Sequence, residues 1–226
     1  MTAAVVFDLD DTLYPERDFV RSGLQAADRW LAAERNIAGL FDHAWRRFAA
    51  GERGRLFDQA LADLGLAAEP ALIAVLVGAY RDHRPAIALA PGIGELLDGL
   101  RRRGPVALLT DGWHRTQRLK VEALGLERWC RPIVYTDLWG REHWKPSPRG
   151  FLAIQAELGL APPQLTYVAD NPAKDFRAPR ALGWRTIRLR RPAGEHALRQ
   201  AASPADDADR VIADLGELIG HCRETS

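Results

Sequence analysis

Cysteine and lysine are both scarce in this sequence, and each scarcity excludes a class of structure. The two cysteines, Cys130 and Cys222, lie far apart and in no metal-ligand spacing. We therefore expect neither a disulfide framework nor a zinc module, and a reducing cytoplasm suits such a chain. Lysine stands only at positions 120, 145 and 174, so arginine supplies the remaining basic charge.

A surplus of charge of either sign is also missing. The 31 basic residues nearly balance the 30 acidic ones, which gives no argument for a nucleic-acid or membrane-surface partner. No apolar run approaches the roughly 18 residues that a membrane helix needs, and the apolar run Ala3–Phe7 lacks the basic flank of a secretory signal. We expect a cytoplasmic protein of one large domain, or of one domain with a small accessory domain, in 226 residues.

Five segments predict buried strands. Most are short, β-branched or aliphatic, and lack polar alternation, as expected where both faces of a sheet are covered. The segments are Ala3–Leu9, Pro105–Thr110, Pro132–Thr136, Leu165–Ala169 and Arg185–Leu189. Helical patterns lie between the later strands, over Gly94–Arg103, Thr116–Leu124 and Pro148–Leu158. This alternation predicts an α/β fold with a doubly wound (Rossmann-like), mostly parallel five-stranded sheet.

The interval between the first strand and Gly94 carries no strand pattern. Helical spacing recurs there in four segments, Phe19–Ala33, Phe41–Ala50, Leu56–Leu64 and Pro70–Asp82. The interval is too long for an ordinary crossover, so it predicts an inserted α-helical domain at residues 15–88 within a core of residues 1–14 and 89–226. The polar stretch Pro192–Asp209 predicts a surface loop or a mobile segment before a last element, Arg210–Ile219.

The strongest functional signal follows the first strand, where Asp8, Asp10 and Asp11 come directly after an apolar run. In a parallel sheet, ligands bind beyond the carboxyl ends of the strands. Acids this close repel one another unless a cation or a basic group offsets them, and Mg²⁺ prefers oxygen ligands. The structural alternative is a solvated turn with capping aspartates.

Three later segments also fall at strand ends. Thr110 and Asp111 end the second strand, Lys145 stands between an aromatic residue and a proline, and Asp170 and Asp175 follow the fourth strand. Each segment alone has an ordinary alternative: a turn, a surface lysine or a helix cap. Together, at successive strand ends, they indicate one site.

In this order the segments resemble the signature motifs of the haloacid dehalogenase-like (HAD) hydrolase superfamily. Asp8-Leu9-Asp10-Asp11-Thr12 looks like the first motif, Asp-x-Asp-x-Thr. Thr110 matches the second motif, Lys145 the third, and Asp170 with Asp175 the acidic fourth. The resemblance covers essentially the whole chain, and the position of the helical insert is similar to subfamily I, which carries a C1-type cap.

The resemblance implies a role for each acidic residue. Asp8 would be the nucleophile that forms an aspartyl-phosphate, and Asp10 would protonate the leaving oxygen and then activate water. Mg²⁺ would be held by the Asp8 carboxylate, the Asp10 backbone carbonyl and the Asp170 carboxylate. Asp175 would orient a water or Lys145 rather than touch the metal.

The resemblance also implies a phosphate site. Thr110 and nearby backbone N–H groups would bind phosphate oxygens, and Lys145 would neutralise the nucleophile and the transferring group. Asp111 stands where asparagine is common, so we expect it to contact a substrate hydroxyl rather than to act in catalysis. A second departure is Ala169, which stands where many relatives have glycine.

The presence of Asp10 implies a phosphomonoester hydrolase rather than a dehalogenase or a phosphonatase, which lack this acid. The substrate would be a small phosphorylated metabolite, and the protein a monomer or a homodimer. A phosphomutase or phosphotransferase with the same intermediate is the alternative enzyme, and a nucleoside 5′-monophosphate is one alternative substrate. A non-catalytic HAD-like binding module is the alternative from another class.

Other conspicuous residues have structural interpretations. For the cluster Trp113, His114, Trp139, His143 and Trp144 we expect packing beneath the insert rather than an aromatic wall for the substrate. For Arg17 and Arg21 we expect a solvated helix face rather than a substrate contact. The basic residues of the fifth strand predict an edge protected by charge; they are Arg185, Arg188, Arg190 and Arg191.

Overall fold

A parallel sheet of six strands forms the centre of the larger of two compact units. The computed structural model of the chain describes residues 3–192 and 194–218, so Ile219 and Cys222 lie outside the described residues. The strands are Ala4–Phe7 (β1), Val106–Thr110 (β2), Cys130–Tyr135 (β3), Leu165–Ala169 (β4), Arg185–Leu189 (β5) and Arg210–Ile212 (β6). Their order is β3-β2-β1-β4-β5-β6, and every pairing is parallel.

The predicted doubly wound α/β fold is confirmed, but the prediction of five strands is wrong by one. The sixth strand, β6, spans only three residues inside the predicted last element, which is too short for a periodicity signal. The expectation of a charged edge at β5 is wrong as well, because β5 lies between β4 and β6. The Arg188 side chain is buried there and donates to the carbonyl oxygens of His196 and Arg199 at 2.9 and 2.7 Å.

Helices flank this sheet. They are α5 (Ile93–Arg101), α6 (His114–Ala123), α7 (Arg149–Leu158) and α8 (Arg177–Ala181), counted after the four helices of the smaller unit. The strands β1, β2 and β4 are buried along their whole length, which explains why their sequences lack alternation. Gly150 lets α7 approach β2, since a Cβ there would come within 2.5 Å of Leu109 Cδ1.

The smaller unit, Arg17–Ile87, is helical. It contains most of α1 (Glu16–Arg35) and all of α2 (Leu40–Ala49), α3 (Leu56–Asp63) and α4 (Pro70–Asp82). A cluster of buried apolar residues that includes Leu24, Leu31 and Leu61 forms its core. Among the described residues, no helix is both long and apolar enough to cross a membrane.

The connection between β1 and the neighbouring strands decides where the polar residues meet. β1 pairs with β2 on one side and with β4 on the other, and Phe7 lies level with Leu108 and Val168. The chain therefore reverses its direction of winding between β1 and β4, which is where ligands bind in open α/β sheets. Asp8 and Asp170 are the residues that directly follow these two strands.

Candidate active site

The carboxyl ends of β1, β2 and β4 border an open cavity of about 300 Å³. Side chains of both charge signs line it, among them Asp8, Asp10, Lys145, Asp170 and Lys174. The sequence-predicted residues of the first, third and fourth motifs are thus brought together at one edge of the sheet, entirely within the α/β unit.

Asp8 is paired with Lys145. The Lys145 ammonium lies 2.5 Å from Asp8 Oδ1 and 2.8 Å from Asp175 Oδ1, and it donates to the Tyr167 hydroxyl at 2.9 Å. Burial raises the pKa of Asp8 to about 6, with Lys145 acting in the opposite direction. Burial alone would lower the pKa of Lys145, but Asp175 and Asp8 hold it well above its usual value. Lys145 is therefore a buried, charged ammonium between two carboxylates.

Asp10 has a different set of partners, although it follows Asp8 by two residues. Its Oδ1 accepts from the Lys120 ammonium at 2.7 Å and from the Tyr14 hydroxyl, and its Oδ2 accepts from Gln117 Nε2 at 3.0 Å. Burial opposes ionisation of Asp10, but Lys120, Tyr14 and Gln117 outweigh burial and lower the pKa of Asp10. The two acids therefore have distinct electrostatic environments, the usual basis for distinct roles.

Asp170 brings a third carboxylate to the same place. Oxygen atoms of Asp8, Asp170 and Asp175 lie within 4.8 Å of one another. The buried Oδ2 of Asp170 has no hydrogen-bond partner among the described residues. Burial, helped by the charges of Asp8 and Asp175, raises the pKa of Asp170 to about 9. A pocket lined by three carboxylates, with one buried carboxylate oxygen left unpartnered, fits a hard divalent cation.

Hydrogen bonds to Asp111 hold the loop after β2 in place. Asp111 accepts from the hydroxyl of Thr136 at 2.7 Å, from the backbone N–H of Lys145 at 3.2 Å and from the Lys174 ammonium at 3.3 Å. Thr110 is buried, and its hydroxyl accepts from Gln117 Nε2 at 2.5 Å. Both side chains thus have partners within the protein, and Asp111 links the loop after β2 to the loop that carries Lys145.

The aromatic cluster near the second and third motifs contacts several cationic and aromatic side chains of the α/β unit. The Arg141 guanidinium lies 4.7 Å from the ring centre of Trp113 and 5.5 Å from that of Trp144. His143 shares a hydrogen bond with Arg149 at 2.8 Å, and Arg149 in turn lies 4.9 Å from the Trp139 ring. His114 packs edge-on against Tyr135. In the helical unit, Arg17 and Arg21 lie over the Trp45 ring at 5.7 and 5.8 Å.

Sequence reasoning missed the partners of Asp10. Gln117 and Lys120 are three residues apart on α6 and therefore lie on one helix face. Both side chains are buried. Two polar residues at helical spacing on the helix after β2, one of them among only three lysines, were the signal that could have identified them. The contact of Tyr167 with Lys145 was missed because a tyrosine in a buried strand is usually interpreted as a core packing residue.

Two further missed side chains, Glu16 and His196, also line the cavity. Burial and the charge of Asp10 raise the pKa of Glu16 to about 7. His196 Nε2 shares a hydrogen bond with the Asn171 side chain at 3.0 Å.

Comparison of the sequence with known proteins identifies the family of this chain. Residues 2–183 match the family model of the haloacid dehalogenase-like hydrolases. The chain is 30% identical over 234 residues to the glyceraldehyde 3-phosphate phosphatase of Methanopyrus kandleri, with 99% of this chain and 98% of the relative covered. It is 35% identical over 168 residues to the phosphoserine phosphatase of Thermus thermophilus, with 74% and 64% covered.

A solved structure has the same fold. The HAD-hydrolase YfnB of Bacillus subtilis, bound to magnesium, aligns with a TM-score of 0.68 at 18% identity and covers 97% of this chain and 98% of its own.

Proposed function

The chain belongs to the haloacid dehalogenase-like hydrolase family, and we propose that it is a Mg²⁺-dependent phosphomonoester hydrolase acting on small phosphorylated metabolites. The observation that carries this proposal is the separation of Asp8 and Asp10 into two environments at one strand end: Asp8 beside Lys145, Asp10 beside Lys120. A nucleophile and a proton-transfer group need such a separation. The phosphatase names of the relatives support the same reaction class.

In the first half of the proposed reaction, Asp8 forms a bond to phosphorus. The bond between phosphorus and the ester oxygen breaks, its electron pair stays on that oxygen, and Asp10 in its protonated form supplies the proton. In the second half, water attacks phosphorus, Asp10 takes the water proton, and Asp8 leaves as a carboxylate. Lys145 keeps a positive charge beside Asp8 in both halves, because Asp175 and Tyr167 hold its ammonium in place.

The acidic pocket fits a magnesium ion, with its unpartnered Asp170 oxygen and its purely oxygen donor set. We propose that the Asp8 carboxylate, the Asp10 backbone carbonyl and the Asp170 carboxylate hold the ion. When bound, Mg²⁺ supplies charge that offsets the repulsion between Asp8 and the phosphate. Asp175 is better suited to position Lys145, because its two oxygens face the Lys145 ammonium and the Asn171 backbone N–H.

Thr110, with backbone N–H groups of the loop after β2, would bind the phosphate, and Asp111 would fix that loop. We further propose that the helical unit acts as a C1-type cap that supplies substrate selectivity. A cytoplasmic location and a monomer or homodimer complete the proposal; the scarcity of cysteine supports that location.

A panel of phosphate esters tests this function. Purified protein with Mg²⁺ would be assayed for release of inorganic phosphate from glyceraldehyde 3-phosphate, phosphoserine, phosphoglycolate and nucleoside 5′-monophosphates. We expect release that EDTA abolishes and added Mg²⁺ restores. Phosphorus NMR of the products separates the alternatives, because free phosphate indicates a hydrolase and an isomeric ester a mutase. Lack of turnover across the panel, or turnover that survives EDTA, would contradict the proposal.

A further inference from the structure

The partners of Asp10 form a connected group at the carboxyl ends of β1 and β2. We name Tyr14, Gln117 and Lys120 the Asp10 clamp, since each donates a hydrogen bond to the Asp10 carboxylate. Gln117 and Lys120 reach Asp10 from one face of α6, the helix that follows β2. Their side chains are almost fully buried, whereas 21% of the Asp10 side chain is exposed to the cavity.

The clamp leaves one acceptor position of Asp10 for chemistry. A carboxylate offers about four lone-pair positions, two on each oxygen. Lys120 and Tyr14 fill both positions on Oδ1, and Gln117 fills one on Oδ2. The second position on Oδ2 is therefore the one available for a transferable proton.

Gln117 also connects Asp10 to the second motif. Its Nε2 donates both to Asp10 Oδ2 at 3.0 Å and to Thr110 Oγ1 at 2.5 Å. One amide group thus sets the distance between the proton-transfer group and the hydroxyl expected at the phosphate. Small errors in such distances slow a reaction greatly, because the reacting atoms must be aligned.

We propose that Gln117 and Lys120 are positioning residues that aim Asp10 Oδ2 at the leaving oxygen of the substrate and at the attacking water. This inference rests on the proposed function. During cleavage Oδ2 gives its proton to the ester oxygen as the bond to phosphorus breaks. During hydrolysis Oδ2 takes a proton from the attacking water, which restores the acid for the next turnover.

Leaving-group dependence distinguishes this role from mere support of the fold. The parameter kcat/KM covers only the steps up to alcohol release, so it reports proton donation and not water activation. Phenyl phosphate and 4-nitrophenyl phosphate form a matched pair, because phenolate is the poorer leaving group and needs the proton more. Lys120→Met removes the ammonium and keeps an unbranched chain of similar length.

We expect Lys120→Met to lower kcat/KM by about 100-fold for phenyl phosphate and by less than about 10-fold for 4-nitrophenyl phosphate. Lys174→Met is the control, because Lys174 lines the same cavity but pairs with Asp111. It should lower both values by one common factor. In Lys120→Met we also expect a burst of 4-nitrophenol, because water activation slows while 4-nitrophenol release is nearly preserved.

A second variant and a double variant keep the test decisive. Circular dichroism would reveal whether Lys120→Met is folded. If it is not, Gln117→Leu takes its place and should show the same preference for 4-nitrophenyl phosphate. Adding Lys120→Met to Asp10→Asn should change the ratio of the two kcat/KM values no further, because both lesions act through one carboxyl group.

Equal losses on both esters in Lys120→Met and in Gln117→Leu would overturn the inference, as would unchanged activity. If the wild-type protein cleaves no phosphate ester at all, the proposed function fails instead, so the two failures are distinguishable.

Discussion

The two compact units of the chain bury different kinds of side chain. In the helical unit the buried residues are apolar, with Ser22 the single polar exception among its described residues. Among the described residues of the α/β unit, six charged side chains are buried: Asp8, Lys120, Lys145, Asp170, Asp175 and Arg188. Burying charge costs free energy unless each group is paired. All of these except Arg188 belong to the candidate site, so the α/β unit accepts buried charge where chemistry needs it.

Ion pairs of the two units show the same difference. Lys145–Asp175 and Arg47–Asp63 have N–O distances of 2.8 and 2.7 Å. The first pair is fully buried, whereas the side chains of the second are 28% and 29% exposed. Distance alone therefore does not rank these pairs, because solvent screens the second one.

The largest effect should come from Asp8→Asn in the α/β unit. The amide cannot attack phosphorus, so we expect kcat to fall by at least about 1,000-fold. Phosphate release measured on folded protein checks this. Asp42→Asn, an exposed residue of α2 in the helical unit, is the control and should keep full activity. Comparable losses of kcat in both variants would contradict the assignment of the catalytic groups to the α/β unit.

Leu31→Ala probes the apolar core of the helical unit. Leu31 is fully buried in α1, so its truncation should lower the free energy of unfolding by about 3 kcal/mol. Urea unfolding measures this change. Activity per folded molecule on 4-nitrophenyl phosphate should stay within about twofold of wild type, since no group at the candidate site changes. Leu152→Ala, at a 45% exposed position on α7, should have a far smaller effect on stability.

Lys145→Arg sharpens the comparison within the α/β unit, since it keeps the formal net charge at +1. The Lys145 side chain is fully buried between Asp8 and Asp175, where a planar guanidinium does not reproduce a compact ammonium. We expect kcat/KM to fall by about 100-fold. Arg47→Lys in the helical unit is the matched reverse exchange and should leave kcat/KM unchanged. An active Lys145→Arg enzyme would show that charge alone is sufficient there.

The smallest effect should come from Arg47→Met. Its partners Asp63 and Glu52 are part-exposed, so loss of the pairs should lower Tm only slightly, and less so at high salt. Differential scanning calorimetry at two salt concentrations measures this. A fall in Tm as large as that of Leu31→Ala would contradict the interpretation of these pairs as screened.

The predictable parts of the molecule were those encoded locally. Leu165–Ala169 and Arg185–Leu189 were predicted with the bounds that the structure shows, because aliphatic or β-branched residues make up most of each segment. The sequence-predicted carboxylates and Lys145 meet at one sheet edge because parallel strands place their ends together. The position of β5 inside the sheet was not predictable, because it depends on the three-residue strand β6 that covers it.

The Asp10 clamp was missed for a physical reason of another kind. Lys120 and Gln117 both contact the Asp10 carboxylate, which lies 110 and 107 positions away from them in the sequence. Nothing in the local pattern of α6 states which strand end its buried polar face meets. Only the pairing of β1 with β2 brings these groups together.

The most direct test of the proposed mechanism is to identify the residue that carries the phosphoryl group. Enzyme turning over 4-nitrophenyl phosphate with Mg²⁺ would be quenched with borohydride, which reduces an aspartyl-phosphate to homoserine, and mapped by peptide mass spectrometry. We expect homoserine at position 8, dependent on both substrate and Mg²⁺, and unmodified aspartate at positions 10 and 170. Modification at another residue, or turnover with Asp8 never modified, would contradict it.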